Sequence, residues 1–305
     1  MAADLTPARP WRTGLLVLLV LVGVTAVAVL VTPWVYRALV DLGLLPPGKY
    51  AKLLRRVVLL PLIVIFLVTC RPWRDGGLAT YGLVGPQARL RPPLVGYLLT
   101  MAVIGLFVAW HFAAGWLHLE DPMKPGEIVR RYARWFVTGW GIALIEEWFF
   151  RGWLDRKLRL GYRPLVAALV VGVLYGLIHV FQGRPPGADV TPDVAGGLEA
   201  IQRWLARFGD LEDFLPLFVG LTLFSLVLTA LWHRTRTLWT AVAIHAASIF
   251  MLKTYGSWTD RWTDTWPWRN WAGSKHLLDG PPGWILLAGL AFWLWRPLGG
   301  RGRRS

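Results

Sequence analysis

The 305-residue chain contains one cysteine, Cys70. No intrachain disulfide can form, which excludes a disulfide-stapled secreted scaffold. Charge is also scarce, at 17% of residues against 55% hydrophobic. A chain this apolar is not intrinsically disordered. Acids are the rarer sign, 18 Asp and Glu against 33 Lys and Arg, for a formal net charge of +15. A soluble nucleic-acid binder could carry that charge but not the long apolar runs beside it, so no nucleic-acid partner is expected. Lysine is nearly missing, confined to Lys49, Lys52, Lys124, Lys157, Lys253 and Lys275. With the excess of Ala, Gly and Leu, the arginine bias suggests a GC-rich genome and a bacterial inner membrane. What is abundant is tryptophan, 20 copies, and long uncharged stretches. Together these point to an integral membrane protein whose basic residues collect in short loops on one side.

A hydrocarbon core about 30 Å thick needs about 20 apolar residues of helix, and in lipid the backbone must pair its own polar groups. The expected fold class is all-α, a polytopic transmembrane helical bundle of about eight spans. These cover Thr13–Thr32, Leu53–Cys70, Leu94–Leu117, Tyr132–Arg151, Pro164–Phe181, Phe214–Trp232, Leu238–Leu252 and Gly283–Arg296. Arg9 and Arg12 precede the first span, and Ala26-Val27-Ala28 imitates a signal cleavage site. That triplet lies inside an apolar run too long for a signal peptide, so a retained signal anchor is expected. With the N-terminus and C-terminus cytoplasmic, the basic loops Gly152–Arg163 and His233–Thr237 and the tail arginines Arg301, Arg303 and Arg304 fall inside. The more acidic loop Gln182–Asp213 falls outside, as the positive-inside rule requires. The basic segment Pro33–Arg56 is the exception. The chain divides into N-terminal helices (1–130), a core (131–252), and a Trp-rich outer loop with the final span and basic tail (253–305).

Two loop patterns have structural readings. Ile201, Trp204, Leu205 and Phe208 recur at helical spacing, which predicts a helix lying on the membrane surface. Trp258, Trp262 and Trp266, followed by Trp268 and Trp271, predict an aromatic belt at the headgroups.

The fourth span ends Ile145-Glu146-Glu147-Trp148-Phe149-Phe150-Arg151. Each carboxylate at mid-membrane costs on the order of 2–3 kcal/mol on insertion scales. Arg151 lies four residues after Glu147 on the same face and can pair with it. Glu146 is about 100° away around the helix and is not served as easily by that partner. One ion pair would suffice to pin a helix, so the second carboxylate points beyond structure. Glu147 precedes, and His179 follows, the turn residue Arg163 by the same number of positions. In an antiparallel hairpin that places both at one depth. His245 also lies within a span, although about 15 Å from its turn against about 24 Å for Glu147 at helical rise. Extension of the fourth helix through Arg151–Arg159 would absorb the difference. His111 reads as an interhelical contact, and His118, His233 and His276 as solvated or interfacial residues.

A carboxylate facing imidazoles in a wet membrane cavity can activate water against a peptide bond. Imidazoles can orient that water or donate to the developing oxyanion. The same set, Glu146, His179 and His245, would be the ligands if a divalent metal such as zinc were bound. The order of motifs resembles the CPBP intramembrane proteases (CAAX protease and bacteriocin-processing, or Abi), relatives of the type II CAAX prenyl endopeptidases. Those motifs are Glu146-Glu147-x-x-x-Arg151, Tyr175-x-x-x-His179, and Arg234-Thr235-x-x-Leu238-Trp239 followed by His245. The resemblance implies Glu146 as catalytic base, His179 as its partner in holding water, and His245 as an oxyanion stabiliser. It implies supporting roles for Glu147 and Arg151. It implies no obligatory cofactor, and a membrane-embedded or lipid-anchored peptide or protein as substrate. The family's third motif usually reads His-x-x-x-Asn, whereas Ile249 stands at that position here; Ser248 is adjacent, and Tyr175 replaces the usual Phe. Losing one oxyanion donor costs about 10²–10³ in rate, so a non-catalytic membrane partner or immunity-type protein is the alternative. A proton- or cation-coupled transporter is a third reading, in which Glu146, Glu147 and His179 form a relay. His-Glu-x-x-His, Gly-x-Gly-Asp and Gly-x-Ser-Gly, the signatures of other intramembrane proteases, are absent.

Overall fold

The computed structural model describes residues 10–69, 77–84, 90–115, 117–119, 124–181, 190–206, 208–260 and 278–296. Nine principal helices run in the order α1 (Pro10–Asp41), α2 (Tyr50–Thr69), α3 (Arg91–Ala113), α4 (Pro125–Glu147), α5 (Pro164–Phe181), α6 (Val194–Ala206), α7 (Leu211–Thr235), α8 (Leu238–Tyr255) and α9 (Pro281–Trp295) among the described residues. A π-helix, Trp148–Asp155, continues α4 without a break. A two-residue antiparallel pair joins β1 (His118–Leu119) to β2 (Thr259–Asp260).

Helices occupy each segment expected to be a span, although α1 runs on past Thr32 to Asp41 and α4 begins at Pro125, ahead of Tyr132. By length and composition three can cross a membrane, Leu18–Asp41, Arg91–Ala113 and Phe214–Thr235; Pro164–His179 and Pro281–Trp295 are shorter apolar helices. Trp262, Trp266, Trp268, Trp271 and the tail arginines lie outside the described residues, as do Arg184, Asp189 and Arg207 of the acidic loop.

The chain forms two compact units, of which one comprises Met1–Pro72 and Ile178–Phe214. Its core gathers Ala28, Val29, Tyr36, Leu54 and Trp204 from α1, α2 and α6. The helix expected from Ile201, Trp204, Leu205 and Phe208 forms as α6, which includes the first three of them. The buried face of α6 is Gly196, Gly197, Ala200 and Trp204, which packs onto α1 and α2 and leaves Leu198 and Leu205 exposed. The small residues on that face let the helix backbone come close, an option the hydrophobic spacing alone does not reveal. Asp193 caps the helix by accepting from the Gly196 amide at 2.7 Å. That bond, with a second from Thr191, holds the Asp193 carboxyl below the usual carboxylate range.

The other unit comprises Trp73–Leu177 and Leu215–Ser305. In it α8 packs on α3 and α4, with Leu238, Ala241, Val242, Ala243, Ala246 and Ala247 fully or nearly fully buried. The start of α8 is fixed by the Tyr81–Leu83 turn. Tyr81 O accepts from Leu238 N at 3.1 Å, Gly82 O from Thr237 Oγ1 at 2.8 Å, and Leu83 O from the Trp239 indole at 2.9 Å. Gly82 has φ +61°, and a Cβ there would lie 2.3 Å from Arg236 O, so only glycine fits.

Helices α5 and α7 meet at glycine as well. A Cβ on Gly176 would lie 2.9 Å from both Phe218 Cδ2 and Thr222 Oγ1. Small residues at such crossings let membrane helices approach closely. Gly176→Ala is therefore expected to destabilise the protein by about 1–3 kcal/mol through overpacking. A lowered unfolding midpoint in detergent micelles would register this, whereas an unchanged midpoint would show that the crossing relaxes freely.

Candidate active site

Glu147 is the last residue of α4 and opens directly into the π-helix. A π-helix bonds i to i+5 and adds a residue to the turn, so its side chains project at angles an α-helix does not offer; such segments are frequent at functional sites. The continuation of helix through Leu158 agrees with the extension expected from the depth mismatch. Phe150, Arg151, Gly152, Leu154 and Asp155 are buried along it.

Glu147 and Arg151 are both 0% exposed. Arg151 Nη1 donates to Glu147 Oε1 at 3.0 Å, the pairing expected from their spacing. The same Oε1 lies 2.8 Å from Nδ1 of His245 on α8. Glu147 Oε2 is buried without a hydrogen-bond partner among the described residues. Because a carboxylate only accepts, His245 carries its proton on Nδ1. The opposite nitrogen, Nε2, stands 3.2 Å from the Tyr175 hydroxyl and 3.9 Å from Glu146 Oε2. Glu146 keeps 21% of its side chain exposed while Glu147 keeps none. The two adjacent carboxylates thus take different sides of one imidazole.

Arg151 is held from a further element. Its Nη2 donates to Ser225 Oγ at 2.7 Å and to Ser225 O at 3.2 Å, both on α7. Aromatic rings close the cluster, with Tyr175 5.0 Å from the guanidinium carbon and Phe224 edge-on to His245 at 5.9 Å.

Of the residues expected from sequence, the structure brings together Glu146, Glu147, Arg151, Tyr175 and His245. Ser248 lies on the same helix as His245, but its hydroxyl donates to Ile244 O at 2.9 Å. Ile249 faces Gly139 of α4, its Cγ2 3.6 Å from where a Cβ on that glycine would sit. It is a packing residue and donates nothing. His179 occupies the last turns of α5, half-buried, in the segment from Ile178 that belongs to the first unit.

The spacing of charges did not reveal Ser225 or the pair Asp155–His233. Asp155 is 0% and His233 6% exposed, and His233 Nε2 lies 2.8 Å from Asp155 Oδ2. The solvated or interfacial role read for His233 is thereby corrected: it is a buried, paired residue. A signal was present, since Ser225, Thr229 and His233 recur every fourth residue in an otherwise apolar run.

Among the described residues no group of three or more His, Cys, Asp or Glu side chains is placed to hold a metal ion. Nδ1 of His245 is held by Glu147 and Nε2 by Tyr175, and the Arg151 guanidinium already balances the Glu147 charge. Residues 129–251 match the family model described as "Type II CAAX prenyl endopeptidase Rce1-like". No curated protein and no solved structure matches the chain.

Proposed function

We propose, taking as premise the Rce1-like domain at residues 129–251, that the chain is an intramembrane endopeptidase that hydrolyses a peptide bond in a membrane-associated peptide or protein. The observation that carries the reading is the split of the carboxylates about His245. Glu147 takes one nitrogen at 2.8 Å, and Glu146 faces the other at 3.9 Å. Glu147 is committed to charge balance and to fixing the ring; Glu146, the more exposed carboxylate and 3.9 Å from Nε2, is assigned the reacting role.

Glu146 takes a proton from a water molecule, and the resulting hydroxide attacks the scissile carbonyl carbon. The carbonyl π pair moves to oxygen as the tetrahedral intermediate forms. His245 donates to that oxyanion from Nε2 when the ring carries a second proton there, the site beside Glu146. Collapse of the intermediate breaks the C–N bond, and Glu146 returns its proton to the departing amine. His179 is assigned, from its motif, to hold the attacking water with Glu146. No metal is needed in these steps. The eight-span arrangement with both termini cytoplasmic, in a bacterial inner membrane, belongs to the same reading and rests on the loop charges.

His245→Ala is expected to lower kcat by about 10²–10³, the usual effect of removing one oxyanion donor. A fluorogenic assay that finds kcat within twofold of wild type would remove His245 from the mechanism. Ile249, packed on Gly139 where the family carries Asn, favours the second reading, a non-catalytic membrane partner on the same fold. Purified protein in proteoliposomes separates the two when offered a farnesylated CAAX-type peptide and its unprenylated twin. The endopeptidase reading expects cleavage that survives excess EDTA. Absence of cleavage of either peptide favours the partner role, and loss of cleavage with EDTA overturns the metal-free mechanism.

A further inference from the structure

Helix α7 supplies none of the residues assigned a catalytic role, yet it touches the π-helix through two polar anchors. Near the π-helix start, Ser225 Oγ and Ser225 O both accept from Arg151 Nη2, at 2.7 and 3.2 Å. At its end, His233 Nε2 lies 2.8 Å from Asp155 Oδ2. Between the anchors Thr229 donates to Ser225 O at 2.9 Å, so Ser225, Thr229 and His233 form one polar stripe on a single face of the helix. All three are buried, as are Arg151 and Asp155.

Such a stripe is expensive in an apolar setting, and it is not a maximally stabilising arrangement. Asp155 Oδ1 and Arg151 Nε are buried without hydrogen-bond partners among the described residues. A buried ionic contact with incomplete satisfaction contributes less stability than well-packed hydrophobic residues of similar volume. What it does supply is register. A π-turn has poorer intrinsic geometry than an α-turn and persists where its surroundings hold it. Holding it at Arg151 and at Asp155 fixes the direction in which Arg151 projects, and through Arg151 the position of Glu147 Oε1 against His245. Around His233 the remaining groups are Arg159, whose Nη1 is 3.4 Å from Nε2, and the Trp295 ring, edge-on at 5.4 Å.

We infer that Ser225 and His233 are positioning residues of the active site, with α7 acting as a template that holds the π-helix in the form that aligns Glu147 with His245. The catalytic consequence rests on the endopeptidase reading; the template itself does not.

The test compares His233→Leu, which removes the donor, with His233→Gln, which keeps an N–H near the same place. Purified protein in proteoliposomes is assayed with the farnesylated CAAX-type peptide, and amide hydrogen exchange is followed over residues 148–155. His233→Leu is expected to lower kcat about tenfold or more, as for loss of a hydrogen bond to a buried charge, with KM within twofold and faster exchange in the π-helix. His233→Gln is expected to restore kcat to within threefold of wild type and to restore exchange. Ser225→Ala, a smaller change at the other anchor, carries the same expectation should His233→Leu fail to fold. Wild-type kcat and exchange in both His233→Leu and Ser225→Ala would overturn the inference. So would a His233→Gln protein as slow as His233→Leu. Glu146→Gln serves as the control on the underlying reading: if it cleaves like wild type, that reading fails, and the exchange comparison alone decides whether α7 holds the π-helix.

Discussion

Glu146→Gln is expected to lower kcat by about 10²–10⁴, the range attributable to a general base, without loss of stability. Glutamine has the size and shape of glutamate but cannot take a proton from water. The structural role of this position is small. Glu146 retains 21% of its side chain exposed; the Arg151 ion pair and the 2.8 Å imidazole contact belong to Glu147, and Glu146 Oε2 lies 3.9 Å from the other imidazole nitrogen. Thermal midpoints of the two proteins in the same detergent should therefore agree within a few degrees while turnover collapses. A variant that loses activity and midpoint together would mean that Glu146 is part of the scaffold and that the two carboxylates are not divided as described.

Glu147→Ala has the opposite profile. It leaves the Arg151 guanidinium buried with only Ser225 to receive it, and it strands the Nδ1 proton of His245. Breaking a buried ion pair by removing one partner costs about 3–5 kcal/mol, because the remaining charge stays in the interior uncompensated. That is a large share of the stability of an ordinary domain, about 5–15 kcal/mol. Low abundance in membranes and a midpoint depressed by ten degrees or more are the expected readouts. Removing both charges at once, Glu147→Gln with Arg151→Leu, should recover much of the lost stability but none of the activity. A Glu147→Ala protein as stable as wild type would show that the pair is not buried in the folded protein.

Much of this was legible in the sequence, for identifiable reasons. Apolar run length located the helices, because only internally bonded backbone is tolerated in lipid. The Glu147–Arg151 pair followed from a spacing of four, and His245 was recognisable as a polar residue inside an apolar span. The division of labour between Glu146 and Glu147 was not legible, since it depends on which carboxylate faces the α8 imidazole after the helix widens. The π-helix itself has no compositional signature in Trp148–Asp155. Ser225 and Asp155 were overlooked because a serine in an apolar run and an acid among arginines are ordinary taken singly; only their partners give them meaning. The buried face of α6 was not legible because it is built on Gly196, Gly197 and Ala200, residues that carry no hydrophobic signal.

The position of Ile249 adds a physical point about the oxyanion. It packs against Gly139, and Ser248 donates to its own helix, so neither supplies a hydrogen bond to the cluster. His245 and the Tyr175 hydroxyl beside its Nε2 are the donors left on that side. Under the proposed endopeptidase reading, a rate below that of relatives carrying Asn there is expected.

The most direct measurement compares membrane-protein termini in cells carrying wild type and Glu146→Gln at equal abundance, read by mass spectrometry of newly exposed N-termini. An intramembrane endopeptidase predicts a set of new termini, in or next to membrane segments, present with wild type and missing with Glu146→Gln. Identical termini in the two cell populations would contradict the proposed activity and leave the fold with a binding role.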